Sequence, residues 1–205
     1  YQDIYNYLSQ YFGYEGVSYL NDDRKIHGQD ISTNQLAIPD IVVYPKKVEQ
    51  LQWLTSFASH HRIPLIPYGN GSSIQSNVVA SQGGITIDMS KMNAVLEFHP
   101  DDHEIRVQAG ITKNALTDYL KGSNLFFPLD TGCDASLGGL ICTNASGSGS
   151  FHYGGMKSHV ISMKVVSPDG NIVSTGKGAR KQSLGYDLNS LFIGSEGTLG
   201  IVIEV

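Results

Sequence analysis

Positive charge is scarce in this chain and nowhere gathered. Its 14 Lys and Arg residues are outnumbered by 19 Asp and Glu, the net charge is -5 and the pI is near 5.7, so it lacks the basic field that a nucleic-acid backbone requires. Nucleic acid is therefore excluded as a partner. Cysteine is nearly missing too: Cys133 and Cys142 make neither a CxxC metal pair nor a disulfide framework, and they read as free thiols of a reducing compartment. No apolar run is long enough to span a bilayer, and no charged-then-apolar leader opens the chain. A cytoplasmic location without a transmembrane segment is the expectation, with peripheral membrane association left open. Familiar signatures are also absent: no GxxxxGK phosphate loop, no GxGxxG opening a helix, no serine in GxSxG. Phosphate-loop ATPase chemistry and a serine nucleophile drop out with them.

What the chain has in quantity is glycine, 23 of 205 residues, set in loops between apolar strands. Backbone geometry is being specified at several places. The length suffices for one compact domain with a real core. Residues 1–33 read as a peripheral helix and loop, with Ile4, Tyr7, Leu8 and Tyr11 on one face and Gly13 ending the run. The chain opens at Tyr1 without Met and stops at Ile203-Glu204-Val205 inside a predicted strand, as a piece of a longer polypeptide would.

From Ile38 the pattern alternates strand and helix. Ile41-Val42-Val43-Tyr44, a helix carrying Val48, Leu51, Leu54 and Ala58 on one stripe, and Ile63-Pro64-Leu65-Ile66 form a βαβ unit. Gly84-Ile85-Thr86-Ile87-Asp88 adds a third buried strand. Beyond Met92 the pairing turns antiparallel, since Ile105 and Val107 alternate with Glu104, Arg106 and Gln108 after the Pro100-Asp101-Asp102 turn. A helix over residues 112–121 follows, with Thr112 as N-cap and Gly122 past its end. Pro168-Asp169-Gly170-Asn171 then joins a second hairpin. The fold class is α+β in two lobes, a small mainly parallel one over about residues 36–92 and a larger mainly antiparallel one over 93–205, preceded by an N-terminal helical extension over 1–35.

Three bare-backbone segments recur in fixed order. Pro67, Tyr68, Gly69, Asn70, Gly71, Ser72 and Ser73 follow a strand, and alternating glycines there can aim successive N–H groups at one anion. A structural glycine turn is the alternative. In the second segment Pro128 and Gly132 shape a loop leading to Ser136-Leu137-Gly138-Gly139 and then Asn144-Ala145-Ser146-Gly147. Small side chains allow close backbone approach to a flat ring and its sugar-alcohol chain, and a helix starting near Leu137 brings partial positive charge; close helix-on-sheet packing is the competing account. The third, Gly194-Ser195-Glu196-Gly197-Thr198-Leu199-Gly200-Ile201-Val202, is either a turn that reads a base edge or a tight strand entry.

Together these segments, with Pro39-Asp40, Phe127-Pro128-Leu129-Asp130, Tyr153-Gly154 and Ser167-Pro168-Asp169-Gly170, resemble the flavin-binding domain of the vanillyl-alcohol-oxidase and p-cresol-methylhydroxylase superfamily over roughly residues 36–205. Within it they are most similar to the branch of D-lactate dehydrogenases and glycolate oxidase flavin subunits. The resemblance implies FAD lying between two subdomains. It implies that Gly69, Asn70, Gly71, Ser72 and Ser73, entered through Pro67 and Tyr68, hold the pyrophosphate. Ser136, Leu137, Gly138, Asn144, Ala145, Ser146 and Gly147 would follow the phosphates and ribityl chain, with Pro128, Asp130 and Gly132 in the adjoining loop. Glu196, Gly197, Gly200, Ile201 and Val202 would line the adenine side, and Tyr153 and Gly154 the loop beside the cofactor.

The chain departs from that pattern at Ile74-Gln75-Ser76-Asn77, where relatives often carry further glycines. Cys133 stands in a cofactor-facing segment, as a small residue rather than a flavin attachment point. The remaining histidines carry little chemistry: His60-His61 ends a helix, His99 and His103 flank an acidic turn, and His152 and His159 bracket the loop of Tyr153. No metal site is expected.

The activity implied is oxidation of a small D-2-hydroxy acid to the 2-oxo acid with hydride transfer to flavin. The alternatives are a non-catalytic flavin-binding subunit and a cell-wall-precursor reductase of the same superfamily. No set of Arg and His stands out to clamp a substrate carboxylate and take its hydroxyl proton. In the resembled family such groups come largely from a following cap domain, so these residues alone are expected to bind FAD with little turnover. The electron acceptor and oligomeric state are left open.

Overall fold

The computed structural model describes residues 2–31, 36–176, 178 and 185–205; residues 1 and 32–35, part of the expected N-terminal extension, lie outside the described residues. Helix α1 (Gln2–Phe12) ends where Gly13 takes φ 74. It is not peripheral. Leu8 and Phe12 enter the core of the first lobe, with Ile4 and Tyr5 partly buried against it. Tyr7 and Tyr11, expected on the inner face, remain 42% and 47% exposed at the flank of the helix. There Tyr11 stacks on Trp53, ring centroids 3.8 Å apart. A strand β1 (Val17–Ser18) and helix α2 (Asn21–Ile26) follow where only a loop was expected. Two residues are too few to show an alternating pattern.

The βαβ unit comprises β2 (Ile41–Val43), α3 (Val48–His61) and β3 (Leu65–Tyr68), and β4 (Ile85–Asp88) then inserts between its strands. Sheet order is β1-β2-β4-β3, with β2 and β3 both parallel to β4 and β1 antiparallel at the edge. All residues of β2 and β4 are buried, including Thr86 and Asp88 of β4. Leu51, Leu54 and Ala58 of α3 provide the cover.

In the second lobe β5 (Val95–His99) and β6 (Glu104–Val107) form the hairpin. Helix α4 (Lys113–Leu120) is capped by Thr112, whose Oγ1 accepts the Ala115 N–H at 3.2 Å. Short helices α5 (Leu137–Cys142) and α6 (Ser150–Tyr153), strands β7 (Met163–Val166) and β8 (Ile172–Thr175), helix α7 (Leu188–Phe192) and strand β9 (Ile201–Glu204) complete it. The antiparallel order is β8-β7-β9. Val107 and Val205 exchange backbone hydrogen bonds at 2.8 and 3.0 Å, which ties β6 to the end of β9.

The lobes share one wall. Val165 of β7 and Val202 of β9 pack in the second-lobe core with Leu116 and Ile141. Their neighbours Val166, Ile201 and Ile203 pack in the first-lobe core with Ile41, Leu54 and Ile87. Successive strand residues face opposite sides, so two strands serve two cores.

Candidate functional site

A cavity of about 390 Å3 opens where the end of β3, the start of α5 and the start of β9 converge. That size lies in the ordinary range for ligand sites. Its position, beyond the carboxyl end of parallel strands, is where α/β sheets commonly bind ligands.

The loop after β3 forms one wall. A Cβ on Gly69 would stand 2.1 Å from Ser136 Oγ, so only glycine lets this backbone meet α5. Gly71 takes φ 63 directly over the Tyr68 hydroxyl. The loop is pinned from three sides: Asn70 Nδ2 donates to the Asp134 carbonyl at 2.8 Å, Ile31 N–H to the Ser73 carbonyl at 3.1 Å, and Ser76 N–H to Asp30 Oδ2 at 2.7 Å. The N–H groups of Gly71, Ser72 and Ser73 donate to no acceptor among the described residues. No Lys or Arg lines the cavity, and Glu196 is its one charged side chain among the described residues. An anion at the Gly71–Ser73 loop would meet backbone amides and serine hydroxyls, which fits a polyphosphate ester held by a backbone nest.

Beneath that wall His27 is 4% exposed. Its Nε2 meets Asp88 Oδ2 and its Nδ1 the Asp23 carbonyl, each at 2.8 Å. Burial alone would lower its pKa, but these hydrogen bonds and the charges of Asp88 and Asp23 outweigh it and raise the imidazole above its usual value. Burial, and then the Asp88 charge, also pushes the Tyr68 phenol up and keeps its proton in place. Nothing marks His27 in the sequence, because its carboxylate partner lies on another strand.

The opposite wall is the turn before β9. Glu196 takes a left-handed φ of 56, its N–H donates to the Cys142 carbonyl at 2.9 Å, and its carboxylate accepts from Asn77 Nδ2. Burial raises the Cys142 thiol to about 11, aided by the Glu196 charge against hydrogen bonds with Gly197 and Ser195.

Seventeen of the sequence-predicted site residues border the cavity: Pro67, Tyr68, Gly69, Asn70, Gly71, Ser72, Ser73, Ser136, Gly138, Asn144, Ala145, Ser146, Glu196, Gly197, Gly200, Ile201 and Val202. Pro128, Asp130, Gly132, Leu137, Gly147, Tyr153 and Gly154 do not. Leu137 points into the core, and the Asp130 carbonyl instead accepts the Ser148 N–H at 3.0 Å beneath the loop. Tyr153 packs edge-on against Phe126. An anion was also expected at the start of α5. This helix has six residues, and its first amides are spent on the Ile111 and Ala109 carbonyls and on Ser136 Oγ.

Met89, Ala109 and Cys142 line the cavity without having been foreseen, since an apolar wall residue carries no motif. Asn77, noted only as a departure, lines it too. His152 and His159 stay outside, His159 beside Phe127 and His152 against Tyr153. Among the described residues, no cluster of His, Cys, Asp or Glu is suited to a metal ion, and no helix is long and apolar enough to cross a membrane.

A parallel lobe and an antiparallel lobe enclosing a glycine-walled, cation-free cavity define a cofactor-binding domain of the p-cresol-methylhydroxylase type. The chain belongs to the FAD binding domain family, which matches residues 39–176, and its cofactor is FAD. It is 43% identical over 195 residues to a probable mitochondrial D-lactate dehydrogenase of Danio rerio, covering 94% of this chain and 39% of that protein. It is 31% identical to the glycolate oxidase subunit GlcD of Bacillus subtilis, covering 99% of this chain and 44% of the relative. An alkyldihydroxyacetonephosphate synthase structure superposes with a TM-score of 0.87 at 25% identity, over 100% of this chain and 42% of its own. The chain thus spans about two fifths of the length of these relatives.

Proposed function

We propose that this chain is the FAD-holding part of an oxidoreductase that converts a small D-2-hydroxy acid, of the D-lactate or glycolate type, to its 2-oxo acid. The observation that carries the reading is the set of amides at Gly71, Ser72 and Ser73 that donate to nothing among the described residues, opposite small residues in a cavity whose described lining has no Lys or Arg. In this reading the 69–73 loop holds the pyrophosphate, Ser136, Gly138, Asn144, Ala145 and Ser146 border the path toward the flavin, and Glu196, Gly197 and Ile201 line the nucleoside side. FAD, when bound, supplies a two-electron acceptor for the hydride leaving the carbinol carbon. The chain's own part is to bind and orient: loop amides neutralise the phosphates, while the shared strands fix the distance between the walls.

The choice of substrate class follows the names of similar proteins, which include D-lactate dehydrogenases, D-2-hydroxyglutarate dehydrogenases and a glycolate oxidase subunit. Two free thiols suit the reducing cytoplasm, whereas several of those relatives are named as mitochondrial; tagging and fractionation in the source cell decides the compartment. The central test is reconstitution with FAD, desalting, and an anaerobic spectrum before and after D-lactate and glycolate. Retained flavin, bleached by a D-2-hydroxy acid in the intact enzyme and not by L-lactate, is expected. Flavin that leaves entirely on desalting sinks the reading.

A further inference from the structure

We propose that Asn77 is a specificity-determining residue that reads the adenosine half of the cofactor through its side-chain oxygen. This rests on the assignment of the cavity to FAD. Asn77 and Glu196 stand 119 residues apart in sequence and meet across the cavity, the first on the loop after β3 and the second on the turn before β9. The amide nitrogen of Asn77 donates to Glu196 Oε2, which fixes the direction of the amide. That leaves Asn77 Oδ1 as an acceptor, and it is buried without a partner among the described residues. A buried, unpaired acceptor is costly in a folded chain unless something arrives to fill it.

What arrives must carry an N–H or O–H donor. The two walls differ in this respect: the nest at Gly71, Ser72 and Ser73 presents donors, whereas the Asn77–Glu196 pair presents acceptors. A ligand satisfying both has an anionic centre and a donor-bearing end, as a nucleoside diphosphate does, with its exocyclic amine and ribose hydroxyls. Glu196 cannot simply swing away to serve the ligand by itself. Its backbone is held in the left-handed region, with its N–H committed to the Cys142 carbonyl. Ser76, bonded to Asp30, takes φ 61 immediately before Asn77 and sets the amide against the carboxylate. The segment that departs from its relatives' glycines therefore supplies a recognising side chain.

The test is a fluorescence titration of the 205-residue protein with FAD, and displacement of FAD by ADP, which has the adenosine and phosphates but no flavin. Asn77→Ala should weaken FAD and ADP by the same factor, about tenfold, with the melting temperature little changed, because loss of the hydrogen bond to Glu196 is offset by removal of a buried unpaired acceptor. Asn77→Asp sets a second carboxylate against Glu196 and should weaken both ligands further. Adding Glu196→Gln to Asn77→Asp reverses the donor and acceptor of the pair and should recover most of that loss for FAD and ADP alike. Unchanged FAD affinity in Asn77→Ala overturns the assignment, as does a loss confined to FAD with ADP unaffected, which would place Asn77 at the flavin. An unsubstituted protein that binds ADP but not FAD overturns the flavin reading of the cavity and leaves Asn77 as a nucleotide reader; one that binds neither overturns both.

Discussion

His27 Nε2 lies 2.8 Å from Asp88 Oδ2 across 61 residues of sequence, and this contact fastens the N-terminal segment to the floor of the cofactor cavity. Nδ1 meets the Asp23 carbonyl and Nε2 the Asp88 carboxylate, so both contacts favour the protonated, charged ring and raise its pKa. His27→Ala should cost about 3 kcal/mol near pH 6, because it strands a buried carboxylate. The folded-state pKa is raised, so the stabilisation is complete below the unfolded value of about 6.5 and fades as pH rises through the folded value. Denaturant melts from pH 5.5 to 9 (about the span of interest) should show the wild-type advantage shrinking toward the alkaline end. An advantage that grows with pH would contradict this account.

Gly71→Ala places a methyl group at φ 63, 2.2 Å from the Tyr68 hydroxyl. The left-handed backbone alone costs about 1 kcal/mol, and relief of the clash must turn the loop amides away. We expect FAD affinity to fall by at least about tenfold with a stability loss of only about 1–2 kcal/mol. Calorimetric titration beside a thermal melt separates the two effects.

Gly132 and Gly147 both read as cofactor contacts in the sequence, yet they differ in what a side chain would meet. A Cβ on Gly147 would fall 1.9 Å from the Asp130 carbonyl oxygen, whereas one on Gly132 would meet nothing within 4 Å. Gly147→Ala should lose about 2–3 kcal/mol and Gly132→Ala stay within about 0.5 kcal/mol of wild type. Equal melting temperatures for the two variants would contradict the packing shown here.

Cys133 is exposed at the cavity rim, while Cys142 is enclosed with its thiol raised to about 11. At pH 8 the thiolate fraction of Cys142 is on the order of one in a thousand. Iodoacetamide should modify Cys133 alone under native conditions, with FAD slowing the reaction, and both thiols after denaturation. Peptide mass mapping reads the outcome; rapid native labelling of Cys142 would show the cavity wall to be open.

The legible parts of this fold are those in which one residue type reports one local geometry. An unbroken β-branched run disclosed β2, alternation disclosed β6, and glycines after β3 disclosed the loop over Tyr68. What escaped depends on meetings between distant segments. Val17 becomes a strand residue only because Val43 is beside it, and His27 meets Asp88 only once the chain has folded. Ala109 and Met89 are ordinary core types that happen to face a void. Conversely, Gly147 and Asp130 carry the motif and support the cavity from behind, since a small residue demanded by a neighbouring backbone looks the same in sequence as one demanded by a ligand.

Strands β7 and β9 send Val165 and Val202 to one core and Val166 and Ile203 to the other. Neither lobe can melt while the other stays intact, since losing this wall exposes both. A substitution that unseats this wall should therefore be felt on both sides of the cavity at once.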